Sequence, residues 1–354
     1  MLLQRVKYVA AYTIPFSVFL SLHFKGLFSY FALIYAFGFI PLLELLFSGT
    51  EQNLSRIDQA IAKEDRLYDL FLYGMVPLQY FLLVFYLFHI GNTDLLLYEK
   101  IGMTLAMGIS CGVLGINVAH ELGHRNTKFE QTLSKILLLS SLYMHFFIEH
   151  NRGHHKHVST NDDPASSRYG ESVYAFWIRS TIGGWISAWN LEFERLKKKS
   201  LGKFNFKNEM LQFQIIQLAL LILVFFVFGL EVLLFFVASA IFGFLLLETV
   251  NYIEHYGLRR KKKGEFYERT LPAHSWNSNH PIGRLVLFEL SRHSDHHYIA
   301  NRKFQTLRHF NESPQMPTGY PGMMILALIP PLWFWVMHRK INSLKNTSLG
   351  KALA

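Results

Sequence analysis

Long apolar runs constrain this chain more than any other feature of its sequence. A run of roughly 17–25 apolar residues crosses the ~30 Å hydrocarbon core of a membrane as an α-helix. Among these runs only Leu27–Phe47 contains a charged residue, Glu44. We therefore predict an all-α integral membrane protein with six transmembrane helices in three hairpins. The predicted spans are Tyr8–Phe24, Leu27–Phe47, Leu70–Ile90, Ile101–Ala119, Leu211–Leu230 and Val232–Leu247.

Two further apolar stretches do not fit a simple span. Ile136–Ile148 is too short to cross, and Tyr320–Met337 has the helix-breaking pair Pro330-Pro331 in its middle. We interpret both as re-entrant or interfacial segments. We therefore predict a single membrane domain, 1–354. Its transmembrane helices lie within 8–119 and 211–253, and a polar cap is formed by 120–210 and 254–319.

The distribution of basic residues predicts the orientation of these spans. Lys and Arg number 35 against 25 Asp and Glu, a net charge of +10. Most of the excess lies in segments that face one side, including the run Arg259–Lys263, which is the pattern of cytoplasmic loops. Nucleic-acid binding is an alternative for such runs. Their position beside the spans favours membrane lipids, and no nucleic-acid partner is predicted.

Nine of the 17 histidines form four clusters, all on the predicted inner side. Histidines spaced i,i+4 or i,i+3 share one face of a helix, whereas adjacent pairs diverge. Neutral imidazole is a good ligand for iron, zinc, copper or nickel. Nine ligands exceed what one ion accepts, so we predict two metal ions. The candidate ligands are His120, His124, His150, His154, His155, His255, His293, His296 and His297.

Carboxylates accompany every cluster. A metal-bound imidazole usually donates its other N–H to such a group, so we expect these acids to orient the histidines and to offset the metal charge. They are Glu121, Glu149, Asp163, Glu254 and Asp295.

Two other functions compete with a redox enzyme. The segment His120–His124 is also HExxH, the zinc-protease pattern with a glutamate as general base. That reading leaves three histidine clusters unexplained. A metal transporter or storage protein is the second alternative, although a transporter would carry ligands near the membrane midplane.

The clusters resemble those of the integral-membrane alkane 1-monooxygenases, within the wider class that includes xylene monooxygenase and the membrane fatty-acid desaturases. The residues that carry the resemblance are HELGHR (120–125), EHNRGHH (149–155), NYIEHYGL (251–258) and LSRHSDHH (290–297). The desaturases share three histidine boxes, and NYIEHYGL favours the alkane hydroxylases. The sequence departs from the family at Gly123 and Ser291, and neither is a ligand position.

The resemblance implies two non-haem iron ions bound by the nine histidines, with Asp163, Glu254 and Asp295 around them. No catalytic group beyond the metal site is predicted. It also implies terminal hydroxylation of medium- or long-chain n-alkanes to 1-alkanols with O₂, in a bacterial inner membrane with the active site on the cytoplasmic side. The alternative is a related hydroxylase or desaturase that acts on aromatics, fatty acids or lipids.

Electrons must come from a second protein. The chain has one cysteine, Cys111, and no Gly-rich dinucleotide fingerprint. The resemblance implies a rubredoxin-like carrier. Such carriers are acidic, so the basic run Arg259–Lys263 is a candidate docking site. Attraction to anionic lipid alone explains the same run equally well.

Overall fold

A computed structural model describes residues 2–345 and is predominantly helical, which confirms the predicted helical class. Strands Lys262–Lys263 and Phe266–Tyr267 pair antiparallel. The α-helices are Leu2–Val6, Thr13–His23, Phe31–Ile34, Ile40–Leu46, Arg56–Glu64, Arg66–Ile90, Leu97–Ser110, Val118–Gly123, Lys128–Ser140, Phe146–Ile148, His155–His157, Val173–Lys198, Glu209–His255, Pro281–Val286, His293–Tyr298, Tyr320–Ala327 and Pro330–Lys345. The 3₁₀-helices are Lys7–Tyr12, Gly26–Tyr30, Pro272–His274 and Phe304–Thr306, and the π-helices are Tyr35–Phe39, Cys111–Asn117 and Glu149–His154.

Four helices within the described residues are long and apolar enough to cross a membrane: Gly26–Leu46, Arg66–Ile90, Leu97–Gly123 and Glu209–His255. They account for every predicted span except the first. The first predicted span falls on Lys7–Tyr12 and Thr13–His23, a 3₁₀-helix followed by a short α-helix. Membrane character is therefore borne out, and the count of six spans stays a prediction.

The fifth and sixth predicted spans lie in the 47-residue run Glu209–His255. Gly229 interrupts it with φ 86° and ψ 176°, a conformation that only glycine adopts without strain. At 1.5 Å per residue each side of Gly229 is about 30 Å or more long, enough for one crossing. The break therefore falls where the sequence predicts a turn between two spans.

The chain forms two compact units. The first comprises the chain up to Gly38, Arg66–Gly153 and Gly184–Leu247. The second comprises Phe39–Asp65, His154–Gly183 and the chain from Glu248 onward.

Glycines allow close helix packing in the first unit. A Cβ atom on Gly243 would lie 2.5 Å from the Cβ of Cys111 and 3.2 Å from the nitrogen of Gly112. Small residues of this kind let helix backbones approach closely inside membranes. Nearby, the Gln79 amide is fully buried, accepts from Ser110 Oγ at 2.6 Å and donates to Ser140 Oγ at 2.9 Å. The polar groups in this core are thus paired with each other.

The second unit holds its histidine-bearing helix with a buried arginine. Arg292 is 3% exposed and directly precedes helix His293–Tyr298. Its guanidinium donates to the carbonyls of Gln52 and Leu307, each at 2.8 Å. Glu44, the charged residue of the second apolar run, is also buried and accepts from the Gly283 N–H at 2.9 Å. Backbone groups therefore contact both of these buried side chains.

We expect Gly243→Leu to destabilise the protein, because the added side chain has no space between the two helices. Overpacking of this kind costs about 1–3 kcal/mol. The thermal unfolding midpoint in detergent measures the effect. Gly202→Leu is the matched control, since nothing lies within 4 Å of a Cβ at that position. An unchanged midpoint for Gly243→Leu would contradict the close packing.

Candidate metal centre

Three of the candidate ligands meet in the first unit. His120 lies on helix Val118–Gly123, His124 follows it directly, and His150 lies on the π-helix Glu149–His154. The Nε2 atoms of His124 and His150 are 3.0 Å apart. The His120 ring centroid lies 4.9 Å from that of His124 and 4.5 Å from that of His150. This set of His120, His124 and His150 is called the histidine trio below.

Four others meet in the second unit. The ligand atoms of His154, His255, His293 and His297 all lie within 4.8 Å of one another, and all four side chains are buried. Facing Nε2 atoms are 3.2 Å apart between His154 and His297, and 3.3 Å apart between His255 and His293. These four are called the histidine quartet.

The remaining two candidates form a pair in the second unit. The Nε2 atoms of His155 and His296 are 3.1 Å apart. The His155 ring also lies 4.5 Å, centroid to centroid, from that of His297 in the quartet. Every predicted ligand therefore lies in a group with other predicted ligands.

The histidine groups only partly match the prediction that histidines spaced i,i+4 lie together. His120 and His124 stay together, as i,i+4 spacing on a helix predicts. His150 joins the trio, whereas His154 joins the quartet. The turn that carries both is π-helical, and its wider turn does not stack residues four apart. His293 and His296 lie together, as i,i+3 spacing predicts, with stacked rings whose centroids are 5.6 Å apart, but their Nε2 atoms face different histidines.

Asp163 is the carboxylate that orients the quartet. It is fully buried and lies 2.9 Å from Nδ1 of His154. The hydroxyl of Ser166 and the N–H of Ala165 also donate to it. Burial opposes ionisation of Asp163, but His154 and Ser166 outweigh it and hold the pKa of the carboxyl below its usual value. The carboxylate thus orients Nδ1 of His154 toward itself and makes Nε2 the atom that would bind a metal.

Burial also decides the protonation of one quartet member, His297. It lowers the pKa of His297 well below its usual value, and the surrounding imidazoles lower that pKa further. His297 is therefore neutral at pH 7, the form that binds a metal.

The other predicted carboxylates have varied partners. Glu254 Oε2 lies 3.1 Å from His293 Nε2, the same atom that faces His255. Asp295 contacts Arg302 at 2.6 Å and accepts from the Arg308 N–H at 2.8 Å, so it steadies its helix through arginine rather than through a histidine. Burial raises the pKa of Asp295, and these two groups oppose that rise. Glu121 pairs with Arg125 at 2.7 Å, and Glu149 is buried beside Gly153.

The donor set fits a transition metal. The quartet offers four imidazole nitrogens in a buried space, and imidazole suits iron, zinc, copper and nickel alike. A zinc protease would need Glu121 as a general base, but its carboxylate is engaged by Arg125. The geometry therefore favours a metal site made of imidazoles over a zinc-protease site.

Sequence reasoning missed Arg152. This residue lies between His150 and His154, and its guanidinium contacts Glu192 at 3.1 Å and Glu209 at 2.6 Å. Glu192 is fully buried. The contacts anchor the π-helical turn to helices Val173–Lys198 and Glu209–His255. The position of Arg152 inside a histidine cluster was the available signal.

Helical membrane character and buried histidine groups define a membrane-bound enzyme of the fatty acid desaturase class. The model of that family, described as fatty acid desaturase, matches residues 100–327. This range contains all nine candidate ligands.

Similarity to curated relatives narrows this class to one family. The chain is 40% identical over 316 residues to an alkane 1-monooxygenase of Pseudomonas putida, covering 89% of this chain and 78% of the relative. It is 49% identical over 245 residues to alkane 1-monooxygenase 1 of Pseudomonas aeruginosa, covering 69% and 64%. The hydroxylase component of the xylene/toluene monooxygenase of Pseudomonas putida is 32% identical, with 75% and 72% covered. The chain belongs to the alkane 1-monooxygenase family and is a monooxygenase.

We expect Asp163→Asn to weaken metal binding by the quartet, because the amide no longer holds the proton on His154 Nδ1. Loss of such a partner typically costs about 10- to 100-fold in metal affinity. Competition with a chelator, read as metal bound per chain, measures the loss. Asp162→Asn is the matched control, since that neighbouring carboxylate is exposed. Equal affinities for the two variants would contradict the assigned role.

Proposed function

We propose that the protein hydroxylates the terminal carbon of medium- or long-chain n-alkanes. In the balanced reaction, an alkane RCH₃, O₂, two electrons and two protons give the primary alcohol RCH₂OH and water. The family of the chain supports this reaction. The observation that carries the proposal is the buried, all-imidazole quartet. A terminal C–H bond offers no polar group on which an acid or a base can act, so acid–base groups alone cannot activate it.

The proposed cofactor is a pair of iron ions. The quartet would hold one ion, and the candidate ligands outside the quartet are donors for the second. The argument is one of ligand number, because nine imidazoles exceed the coordination of a single ion. Bound iron would supply the oxidant that attacks the C–H bond.

The protein side chains set the conditions for that chemistry. Asp163 keeps His154 in the tautomer that presents Nε2. Burial excludes bulk water and keeps His297 neutral. Glu254 places a carboxylate oxygen beside His293 Nε2, where it would offset the metal charge. Glu121, Glu149 and Asp295 are proposed to support the site from outside.

The type of reaction is better supported than the particular substrate. An apolar pocket distinguishes neighbouring chain lengths by only about 1–3 kcal/mol per methylene. A steric limit inside the membrane-spanning part would therefore set the chain length. The similarity to the xylene/toluene hydroxylase supports the alternative, a hydroxylase or desaturase acting on aromatics, fatty acids or lipids.

Whole-cell conversion under ¹⁸O₂ tests the reaction. Cells that co-express the chain with a rubredoxin and its reductase would be fed octane through hexadecane. We expect ¹⁸O-labelled 1-alkanol from the native chain and none from His255→Ala, which removes a quartet ligand. His23→Ala is the matched control, because His23 is exposed and lies outside the histidine groups.

The outcomes separate the candidate functions. Two irons per chain without alcohol from any alkane would favour the alternative substrates. A chain that binds zinc and no iron would reopen the HExxH interpretation of residues 120–124.

The proposed setting is the bacterial inner membrane, with six spans and a cytoplasmic histidine-bearing cap. The division of the chain into spans at 8–119 and 211–253 and a cap at 120–210 and 254–319 is part of this proposal. The excess of basic residues beside the spans supports the orientation. The break at Gly229 supports a hairpin between the last two spans.

The proposed electron donor is an acidic, rubredoxin-like carrier that docks near Arg259–Lys263. Within this run Arg260 has a structural task, because its guanidinium donates to the carbonyls of Lys156 and Glu268. Lys262 and Lys263 are exposed and lie on the short strand that pairs with Phe266–Tyr267. These two lysines are therefore the most exposed charges of the run.

We expect Lys262→Gln/Lys263→Gln to raise the KM for the carrier by roughly 3- to 10-fold at low ionic strength, because steering by charge is lost. The difference should shrink at high salt as charges are screened. Steady-state turnover in neutral detergent measures it. Lys203→Gln/Lys207→Gln, an equal loss of charge elsewhere, is the control. Unchanged turnover at low salt would leave lipid attraction as the role of the run.

A further inference from the structure

The segment 199–208 exposes two aromatic side chains outside any helix. It connects helix Val173–Lys198 to helix Glu209–His255. Phe204 is 88% exposed and Phe206 is 92% exposed, the highest fractions among the exposed large hydrophobic residues of the described chain. Some other highly exposed residues, such as Phe226, lie in candidate spans where lipid tails would cover them, whereas Phe204 and Phe206 lie outside every candidate span. Burial of the Phe204 and Phe206 rings would therefore require a different binding partner.

Hydrogen bonds fix this loop against the start of the following helix. Asn208 Oδ1 accepts from the Leu211 N–H at 3.0 Å, and Asn208 Nδ2 donates to the Lys203 carbonyl at 2.7 Å. Gln212 Nε2 donates to the Phe206 carbonyl at 2.6 Å. These hydrogen bonds hold the backbone around both rings against the helix. The loop that exposes the two rings is therefore ordered.

The loop and its flank are strongly basic. Residues 195–208 contain no Asp or Glu. Of the acids that flank this stretch, Glu192 is engaged by Arg152, Glu209 is engaged by Arg152 and Lys135, and Glu194 is exposed. Five lysines remain exposed around the two phenylalanines. They are Lys197, Lys198, Lys199, Lys203 and Lys207.

We infer that this loop is a binding surface for anionic phospholipid of the membrane that holds the protein. Exposed aromatic rings flanked by lysines are typical of segments that lie in the interface, with rings at the acyl boundary and ammonium groups at the phosphates. Each such lysine adds attraction to anionic lipid. The position of the loop favours lipid over protein as the partner. The uncharged run of the following helix, a candidate membrane span, begins at Leu211. An acidic protein would satisfy the lysines but leave the choice of two phenylalanines unexplained.

A site-specific label tests the inference. Cys111 is buried, so a cysteine in place of Phe206 would be the accessible thiol for an environment-sensitive fluorophore. The full chain would be placed in nanodiscs of phosphatidylcholine, with or without phosphatidylglycerol. We expect quenching by acrylamide in water to fall about threefold or more when phosphatidylglycerol is present. Quenching by lipid spin-labelled near the headgroup should rise in parallel.

Matched variants separate lipid binding from general effects. Glu64→Cys carries the same label at an exposed position on a polar helix, and its quenching should not depend on the lipid. Lys203→Gln/Lys207→Gln should abolish the response of the label at 206, whereas Lys262→Gln/Lys263→Gln should preserve it. Native mass spectrometry of the unlabelled chain should show less retained phosphatidylglycerol only for the first pair.

Two results would overturn the inference. The first is a label at 206 that stays equally open to acrylamide in both lipids. The second is protection that depends on added acidic carrier protein and is independent of the lipid, which would make the loop a protein-docking surface.

Discussion

Burial of the imidazoles is the constraint on which the rest of this structure depends. A charged imidazolium is costly inside a protein, and burial holds the pKa of His297 so low that this imidazole is neutral and presents a lone pair. Neutral imidazoles must then be held in one tautomer, which Asp163 does for His154. Buried carboxylates need compensation in turn, and the ion pair of Asp295 with Arg302 provides it. A layer of buried acids and arginines thus follows from placing the histidines away from water.

The sequence predicted the helical class and the nine histidines that gather into groups, because both are visible in short windows of the chain. The nine ligand candidates all fall in groups. It failed where local geometry departs from the ideal helix. Spacing of i,i+4 placed His150 and His154 together, and the π-helical turn separates them. The 3₁₀ segment Lys7–Tyr12 likewise has no signature in an apolar run.

Partners distant in sequence were also beyond prediction. Arg152 reaches Glu192 and Glu209, and Arg292 reaches the carbonyl of Gln52. Such pairs depend on which segments the fold brings together, which no pattern within one segment encodes. The same limit applies to the substrate. The residues that define the class bind the metal, whereas chain length is decided by apolar walls that tolerate many compositions.

The π-helical turn Glu149–His154 has a consequence for how this segment can evolve. A π-turn contains one residue more than the α-helical turn it replaces, so it sets the phase of everything after it. Replacing Asn151 changes one side chain, but deleting any residue between 149 and 154 would rotate His154 and His155 together. The segment should therefore tolerate substitution at Asn151 and reject changes of length, so that the number of its residues is constrained as strictly as the identities of its histidines.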